Sequence, residues 1–422
     1  MTDSTTVGPL EGLKVLEIGD LAEVAGKLLA DAGARVIRIE PPEGAKSRHQ
    51  GPYVDDIFDV NHSLRFAASN TSKLSITLSL NDSRSEELLV KLFQDVDVIL
   101  DGSSIGTSNN ILMNAEHVLE LNPEIIWCSI TPFGLTGPWK EWHSSDLVQL
   151  ALGGPMMSTG YDDHDLPPIR SDGEHSLAIA GEYAVTALLS ALWLRDMNDD
   201  KPGQIIDVSV HEALSATTEC AFANWEYMQK IVLRQTGRHA APVRMSPWQY
   251  PCKDGEYVLM MGGGIPREKK IFDQLLEWMD EYQATGDLYD PSYVEVLYTD
   301  PTMNVEIRNH VSETIGRFIQ LLPAEDVYRR AQDLHLPWGL VRRPEENLDD
   351  PHWKEREFWW EGEISGYQST VLYPGAPYKF EKSPVYLRRR PPLLGEHNYQ
   401  IYAGELGYSQ AKLIAFAESG VV

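Results

Sequence analysis

The amino-acid sequence predicts an α/β fold, and three observations support this prediction. Short β-rich runs alternate with helical stretches between residues 13 and 130. That alternation is typical of a mainly parallel sheet with helices on both faces. The chain of 422 residues is also long enough for two domains and a large core.

The predicted elements of the first domain follow one another in a regular order. The strands are expected at 13–18, 35–40, 74–80, 96–100 and 125–130, and the helices between them at 21–32, 85–94 and 115–121. Gly33 provides a C-terminal stop for the first helix. Further on, the pattern predicts a long helix near 176–197, a strand at 204–208 and a helix from Val210. The first strand is not followed by Gly-x-Gly-x-x-Gly, so the sequence indicates no dinucleotide site.

The character of the sequence changes at about residue 225. Segments 248–262 and 268–281 read as a strand followed by a helix, and an irregular stretch extends to about residue 300. The sequence from about residue 335 is rich in Pro, Trp and Arg, and a helix is predicted from Ser409. We therefore expect a second, smaller domain in the middle of the chain.

Composition excludes several functional classes. A net charge of −27 argues against nucleic acid as a partner. The longest apolar segment, 177–194, contains interrupting polar residues and is interpreted as a buried core helix, not a membrane span. The N-terminal residues show no leader pattern, and Cys128, Cys220 and Cys252 form no Cys-x-x-Cys pair. We expect a cytoplasmic protein with reduced cysteines, no metal site and no membrane association.

Several segments resemble the class III CoA-transferases of the formyl-CoA transferase and carnitine CoA-transferase type. They are 13–17, 27–42, 70–78, 122–138, 202–213 and 394–398. The resemblance implies a large Rossmann-like parallel-sheet domain from 1–224 and 331–422, with a smaller α/β domain from 225–330. It also implies an interlocked dimer, with coenzyme A, acyl-CoA and a carboxylic acid as substrates.

The nucleophile expected from this resemblance is missing. The family carries an Asp four residues before a helix glycine, which here is Gly181, and counting back gives Leu177. The family's reaction needs a carboxylate to attack the thioester, which an aliphatic side chain cannot do. Glu174 is the candidate substitute, ahead of Asp172 and Glu182. Asp172 and Glu174 are equally explained as loop charges near a helix N-terminus.

Candidate coenzyme A ligands follow from the resemblance and from the expected sheet. Lys73 matches a family position that meets the nucleotide end. Arg38 and Arg48 lie near the carboxyl end of the second strand, where open α/β sheets bind ligands. The alternative interpretation is that each of these cations is an ordinary, solvated surface charge. Residues 101–107 (Asp-Gly-Ser-Ser-Ile-Gly-Thr) depart from the family's Glu-Asn-Phe-Arg-Pro-Gly, so its phosphate-binding Arg and its aromatic residue are absent.

Gly262, Gly263 and Gly264 resemble the glycine-rich loop that covers the active site in formyl-CoA transferase. The same triplet is equally readable as a strand-to-helix turn. His143 lies near the position of a catalytic His in related racemases, but the matched position is Ser145, before Asp146. Racemisation is therefore not supported.

These features predict a subunit of an acyl-CoA:carboxylate CoA-transferase, with succinyl-CoA as an example of the donor. The chain would lack its own catalytic Asp and pair with a homologous subunit that supplies it. One alternative is an active homodimer that uses Glu174. Another is a CoA-dependent lyase or isomerase that forms no acyl-enzyme. Asp207 and Glu212 are interpreted as structural residues at a strand-to-helix corner.

Overall fold

The chain separates into two compact units in a computed structural model that describes residues 7–103, 114–299 and 304–422. The first unit comprises the described residues of 1–153, 172–217 and 350–422, and the second comprises those of 154–171 and 218–349. We had placed the return to the first unit at residue 331. It lies later because Trp338–Val341 pairs antiparallel with Tyr257–Met260 and so belongs to the second unit.

The first unit is built on a six-stranded parallel sheet. Its strands are β1 (Lys14–Ile18), β2 (Arg35–Glu40), β3 (Leu74–Thr77), β4 (Val98–Asp101), β5 (Ile126–Thr131) and β6 (Gln204–Ser209). Their order is β3-β2-β1-β4-β5-β6, and every neighbouring pair is parallel. The α/β prediction is confirmed. The strand order reverses between β1 and β4, and the crevice at such a point is where open α/β sheets bind ligands.

Helices cover both faces of this sheet, which explains why the strands β1 to β5 are almost continuously buried. They are α1 (Glu23–Asp31), α2 (Leu64–Ser69), α3 (Glu86–Phe93), α4 (Ala115–Leu121), α5 (Asp146–Leu152), α6 (His175–Asp196) and α7 (Val210–Ala216). One buried cluster contains Leu16, Ile76 and Trp127, and the other contains Val15, Val98 and Leu188. Neighbouring residues of one strand thus face different layers of core.

Helix α6 is 22 residues long and packs one of its faces against the rest of the unit. A Cβ atom at Gly181 would lie 2.8 Å from Cγ1 of Val24 on α1, so only glycine permits this approach. The opposite face exposes Tyr183, Leu189, Trp193 and Leu194. The prediction of a buried core helix therefore holds for one face of α6 and not for the other. By length and composition α6 would also suffice to cross a membrane, a test that core helices of soluble proteins pass too.

The second unit combines helices with small antiparallel sheets. Its elements are α8 (Glu219–Met228), β7 (Leu233–Gln235), β8 (Arg238–Ala241), β9 (Gln249–Pro251), β10 (Tyr257–Met260), α9 (Lys269–Asp280), α10 (Pro291–Thr299), α11 (Val305–Ile319), α12 (Ala324–Asp333) and β11 (Trp338–Val341). Phe272, Val311, Phe318 and Trp338 belong to its core. The stretch that we expected to be irregular contains α10, whose Tyr293 and Val294 pack against that core.

The C-terminal segment returns to the first unit and seals the edge of its sheet. Its elements are α13 (Pro351–Glu355), β12 (Trp359–Gly362), β13 (Val371–Pro374), a π-helical turn (Tyr399–Glu405) and α14 (Gln410–Glu418). The N–H of Ser75 donates to Nδ1 of His397 (3.1 Å), and the N–H of Thr77 donates to Oδ1 of Asn398 (2.8 Å). The motif 394–398 therefore covers the exposed edge of β3, which would otherwise present unpaired backbone groups.

Candidate active site

A cavity of about 320 Å³ opens in the first unit at the point where the strand order reverses. It is formed by residues that follow β1, β4 and β5 and by the first residues of α5 and α6. Its lining includes Asp20, Leu21, Glu23, Lys46, Arg65, Gly102, Pro132, Trp142, Asp146, Glu174, Leu177 and Val210. The volume is at the lower end of the range of small-molecule sites.

Leu177 lies in the first turn of α6 and lines this cavity. Its position is fixed from two sides. Gly181, one turn further along, packs against α1. Oδ1 of Asp146 accepts hydrogen bonds from the N–H (3.0 Å) and the hydroxyl (2.7 Å) of Ser176. The side chain at position 177 is therefore held toward the cavity by the packing of the helix that carries it.

Glu174 is the carboxylate closest in sequence to Leu177 that also lines the cavity. It precedes α6 and forms an ion pair with Arg65 of α2, and both side chains are about one third exposed. Asp172 and Glu182 are exposed and do not contribute to the cavity wall. Sequence reasoning missed Arg65, because the short helix that carries it gave no periodic signal.

His143, Ser145 and Asp146 all line the cavity. The Ser145 hydroxyl accepts from the N–H of Val148 and so caps α5, while Asp146 holds Ser176. Ser209 caps α7 in a similar way, since its hydroxyl accepts a hydrogen bond from the N–H of Glu212. The observed hydrogen bonds of Ser145 and Asp146 therefore give these two residues structural roles.

A cluster of buried charges lies beside the cavity and contains two of the predicted coenzyme A ligands. Nζ of Lys73 is 2.8 Å from Oε2 of Glu17 and donates to Oδ1 of Asn70 at 2.8 Å. Arg38 contacts Glu17, and its Nη2 lies 2.7 Å from Oε1 of Glu23. Burial lowers the pKa of Lys73 and raises the pKa of Glu23. Both cations are thus buried against the protein's own carboxylates.

Arg48, the third predicted ligand, is completely buried. Its Nε and Nη2 bind the two oxygens of Glu40 at 2.6 and 2.8 Å, and its guanidinium lies 3.6 Å from the ring centroid of Phe66. Burial is the largest single effect on the pKa of Glu40 and would raise it, but the hydrogen bonds and charge of Arg48, the charge of Arg38 and the hydrogen bond from Ser75 together lower that pKa. Nη2 also donates to the carbonyl of Pro392 at 3.0 Å, which joins β2 to the C-terminal segment. That Lys73, Arg38 and Arg48 bind coenzyme A stays a prediction.

A second cavity, of about 870 Å³, lies at the carboxyl ends of β1, β2 and β3. Asp20, Lys46 and Gln50 line both cavities, so the two adjoin. Ser103 borders the second one, and its N–H donates to Asp101, whose pKa is raised by burial. Residues 104–107 of the divergent segment lie outside the described residues.

The three glycines Gly262, Gly263 and Gly264 lie in the second unit, each with a positive φ of 69°, 72° and 86°. A Cβ atom at Gly263 would lie 2.4 Å from Oγ of Ser312 on α11, so the turn requires glycine there. Gly262 also borders a cavity of that unit, together with Trp248, Arg267 and Arg308. That this turn covers the active site stays a prediction.

Cys128 and Cys252, the two cysteines whose side chains the structure describes, show no sign of catalytic activation. Cys128 and Cys252 are buried and free, and burial raises the pKa of Cys128 to about 12. Across the described ranges, no group of three or more His, Cys, Asp or Glu side chains has a geometry that could hold a metal ion.

Comparison with known proteins establishes the family. The sequence profile of CoA-transferase family III matches residues 10–398. The chain is 27% identical over 406 residues to succinyl-CoA:(R)-benzylsuccinate CoA-transferase subunit BbsE of Thauera aromatica, covering 96% of this chain and 95% of that one. It is 31% identical over 410 residues to acetyl-CoA:oxalate CoA-transferase of Acetobacter aceti, covering 92% and 98%.

A solved structure of a CaiB/BaiF family protein from Brucella suis is 25% identical and aligns with a TM-score of 0.77, covering 95% of this chain and all of that one. The chain belongs to CoA-transferase family III, whose members move coenzyme A between an acyl-CoA and a carboxylic acid.

Proposed function

We propose that this chain is the subunit of a class III CoA-transferase complex that lacks the nucleophile. The observation that carries the proposal is Leu177, an aliphatic side chain in the cavity wall where the family resemblance expects the catalytic Asp. A homologous subunit would supply that Asp. The complex would transfer coenzyme A from an acyl-CoA such as succinyl-CoA to another carboxylic acid.

The chemistry explains why position 177 decides between a catalytic and a silent chain. A carboxylate oxygen attacks the thioester carbon, the carbon–sulfur bond breaks, and the coenzyme A thiolate leaves while a mixed anhydride remains on the protein. Leucine has no lone pair with which to begin this sequence. The cavity of this chain would therefore hold acid or thioester without forming an anhydride at position 177.

The other residues of the cavity retain features that suit an anionic ligand. Arg65 and Lys46 contribute positive charge to the wall, and the N-terminal end of α6, where the helix dipole is positive, borders the same cavity. The adjoining second cavity, at the ends of β1 to β3, is the larger of the two and suits the nucleotide end of coenzyme A.

The exposed face of α6 supports the assignment to a complex. Trp193 is 72% exposed and Leu194 is 54% exposed on a helix whose other face is buried. Large apolar side chains in such a row usually mark a contact surface. We propose that a homologous chain covers this face in an interlocked dimer. The relative from Thauera aromatica, which is named as a subunit, supports a heteromeric partner.

A second candidate function is an active homodimer in which Glu174 is the nucleophile. The specific observation in its favour is that Glu174 lines the same cavity as Leu177 and is held there by Arg65. Glu174 precedes the helix, however, whereas the expected Asp would project from its first turn.

Native mass spectrometry of the protein purified from its source, followed by an exchange assay on the isolated chain, tests the proposal. We expect a complex with a second chain of similar length and no coenzyme A exchange by the isolated chain. Exchange by the isolated chain at about 1 s⁻¹ or faster, an ordinary enzymatic rate, would contradict the silent-subunit assignment.

A further inference from the structure

A pair of stacked tryptophans lies on the loop between β5 and α5. The rings of Trp139 and Trp142 have centroids 5.1 Å apart and are inclined by only 19°. Phe133 packs beside this stack. Its ring contacts the rings of Trp139 and Trp142 edge-to-face, with ring centroids 5.8 and 6.2 Å apart. Such offset and edge-to-face contacts are the favourable geometries for aromatic rings.

Hydrogen bonds hold this loop in place. Both carboxylate oxygens of Asp207 lie within reach of the N–H of Leu135, at 3.1 and 3.0 Å. The N–H of Trp142 donates to the carbonyl of Trp139 at 2.8 Å. His211 packs against Trp139 and lies 3.2 Å from Oε1 of Gln149, another residue of the cavity wall. The ring of Trp142 is therefore oriented before any ligand arrives, which lowers the entropic cost of binding.

Trp142 lines the cavity and is still 49% exposed, although one face of its ring is covered by Trp139. Leu177, Val210 and Pro132 add apolar surface to the same cavity. Arg65, which is ion-paired with Glu174, adds a charge that would receive the ligand's carboxylate in exchange for that pair. The cavity thus combines a planar aromatic wall with a cation in a volume of about 320 Å³, which suits one ring and an acid group.

The position of the stack separates it from the nucleotide end. The second cavity lies at the ends of β1, β2 and β3, whereas the loop with Trp142 follows β5, two strands beyond β1. Neighbouring strands are about 4.8 Å apart, so the loop lies roughly 10 Å farther along the edge of the sheet. This offset favours the acyl group, not the adenine, as the partner of the tryptophan.

We propose that the carboxylic acid taken up in this cavity carries an aromatic ring that stacks on Trp142. The inference rests on the proposed function for the identity of the ligand as an acid. The acid's carboxylate lies toward Arg65, and the ring lies against the free face of the tryptophan.

The experiment uses two acids of equal length and charge, 3-phenylpropanoate and 3-cyclohexylpropanoate, titrated calorimetrically into the full-length chain. We expect the phenyl acid to bind about two- to tenfold more tightly, the usual contribution of an aromatic pair beyond its area. Trp142→Leu should abolish the preference and Trp142→Phe should restore part of it. Trp353→Leu is the matched control, because Trp353 is stacked on Trp359 (5.5 Å, 20°) and does not line the cavity.

Four outcomes of the acid titrations would overturn the proposal. They are equal binding of both acids by the wild type, no binding of either acid, a preference that survives Trp142→Leu, and loss of the preference in Trp353→Leu. Titration of free coenzyme A tests whether the adenine, and not the ring of the acid, stacks on Trp142. If Trp142→Leu weakens coenzyme A instead of the acid, the adenine is the partner of the ring and the proposal is wrong. An intact aromatic preference in a complex without coenzyme A exchange would count against the proposed function alone.

Discussion

Arg65 holds Glu174 in an ion pair on the wall of the cavity that also contains Leu177. The pair joins α2 to the residue that precedes α6. It therefore places one cation and one carboxylate beside the position where the family resemblance expects a nucleophile.

Arg65→Met should weaken the binding of a carboxylic acid to the complex. A hydrogen bond to a charged group contributes about 1.5–3 kcal/mol, so we expect the KM for the acid to rise by roughly 10- to 150-fold with a smaller change in kcat. Steady-state kinetics of the complex measures both. Lys379→Met, which removes an exposed pair with Glu357, serves as the control. An unchanged KM in Arg65→Met would show that this cation does not receive the acid.

Gly181→Ala should destabilise the first unit. The added Cβ would approach Val24 at 2.8 Å and force α6 away from α1, at a cost of about 1–3 kcal/mol in the free energy of unfolding. Chemical denaturation measures the loss. Gly404→Ala is the matched control, because a Cβ there meets nothing within 4 Å. If both variants are equally stable, the close packing of α6 on α1 does not determine the position of Leu177 in the cavity wall.

Lys73→Met should lower the free energy of unfolding by about 3–5 kcal/mol, because it leaves Glu17 buried without its ammonium partner. The double variant Lys73→Met/Glu17→Leu should recover most of that loss. Calorimetric titration of coenzyme A into the double variant then tests the binding role without the confounding instability. A decrease in affinity of about 1–3 kcal/mol would place Lys73 in the site, and an unchanged affinity would leave it a structural residue.

The ion pair between Glu40 and Arg48 predicts a defined dependence of stability on pH. The pKa of Glu40 is lower in the folded protein than its usual value of 4.5, so its contribution is complete above about pH 4.5 and is lost as the pH falls through the folded value. Glu40→Gln should therefore be less stable than the wild type at pH 7, and the difference should shrink below pH 4.5. Glu357→Gln, at an exposed pair, is the control. A difference that is constant from pH 7 to pH 3 would contradict this origin.

The alternation of β-rich and helical stretches predicted the parallel sheet well. Arg35–Glu40 and Ala115–Leu121 have the predicted bounds. The sequence did not predict the short helices Leu64–Ser69 and Asp146–Leu152. It also failed for β11, whose membership in the second unit depends on a long-range pairing with β10.

The candidate site was predictable only in part. Counting back from Gly181 pointed to Leu177, and the structure places Leu177 in the cavity wall, one helical turn before the close contact of Gly181 with Val24. The burial of Lys73, Arg38 and Arg48 could not be predicted from the sequence. A cation that binds a ligand and a cation that binds a carboxylate far away in the chain give the same local sequence pattern. Lys73, for example, binds Glu17, which lies 56 residues earlier. Trp142 and Arg65 reach the cavity from separate loops and helices that only the fold brings together.

We propose that this chain retains a ligand cavity but lacks the family's nucleophile at position 177. Leu177→Asp would place a carboxylate in the cavity wall at the first turn of α6, where the positive end of the helix dipole offsets part of its burial cost. The decisive measurement is mass spectrometry of peptides after incubation with acyl-CoA and trapping with hydroxylamine, on the wild type and on Leu177→Asp. The account predicts a label at position 177 in the variant and none in the wild type. A label on Glu174 in the wild type, or a folded variant that binds coenzyme A and is never labelled, would contradict it.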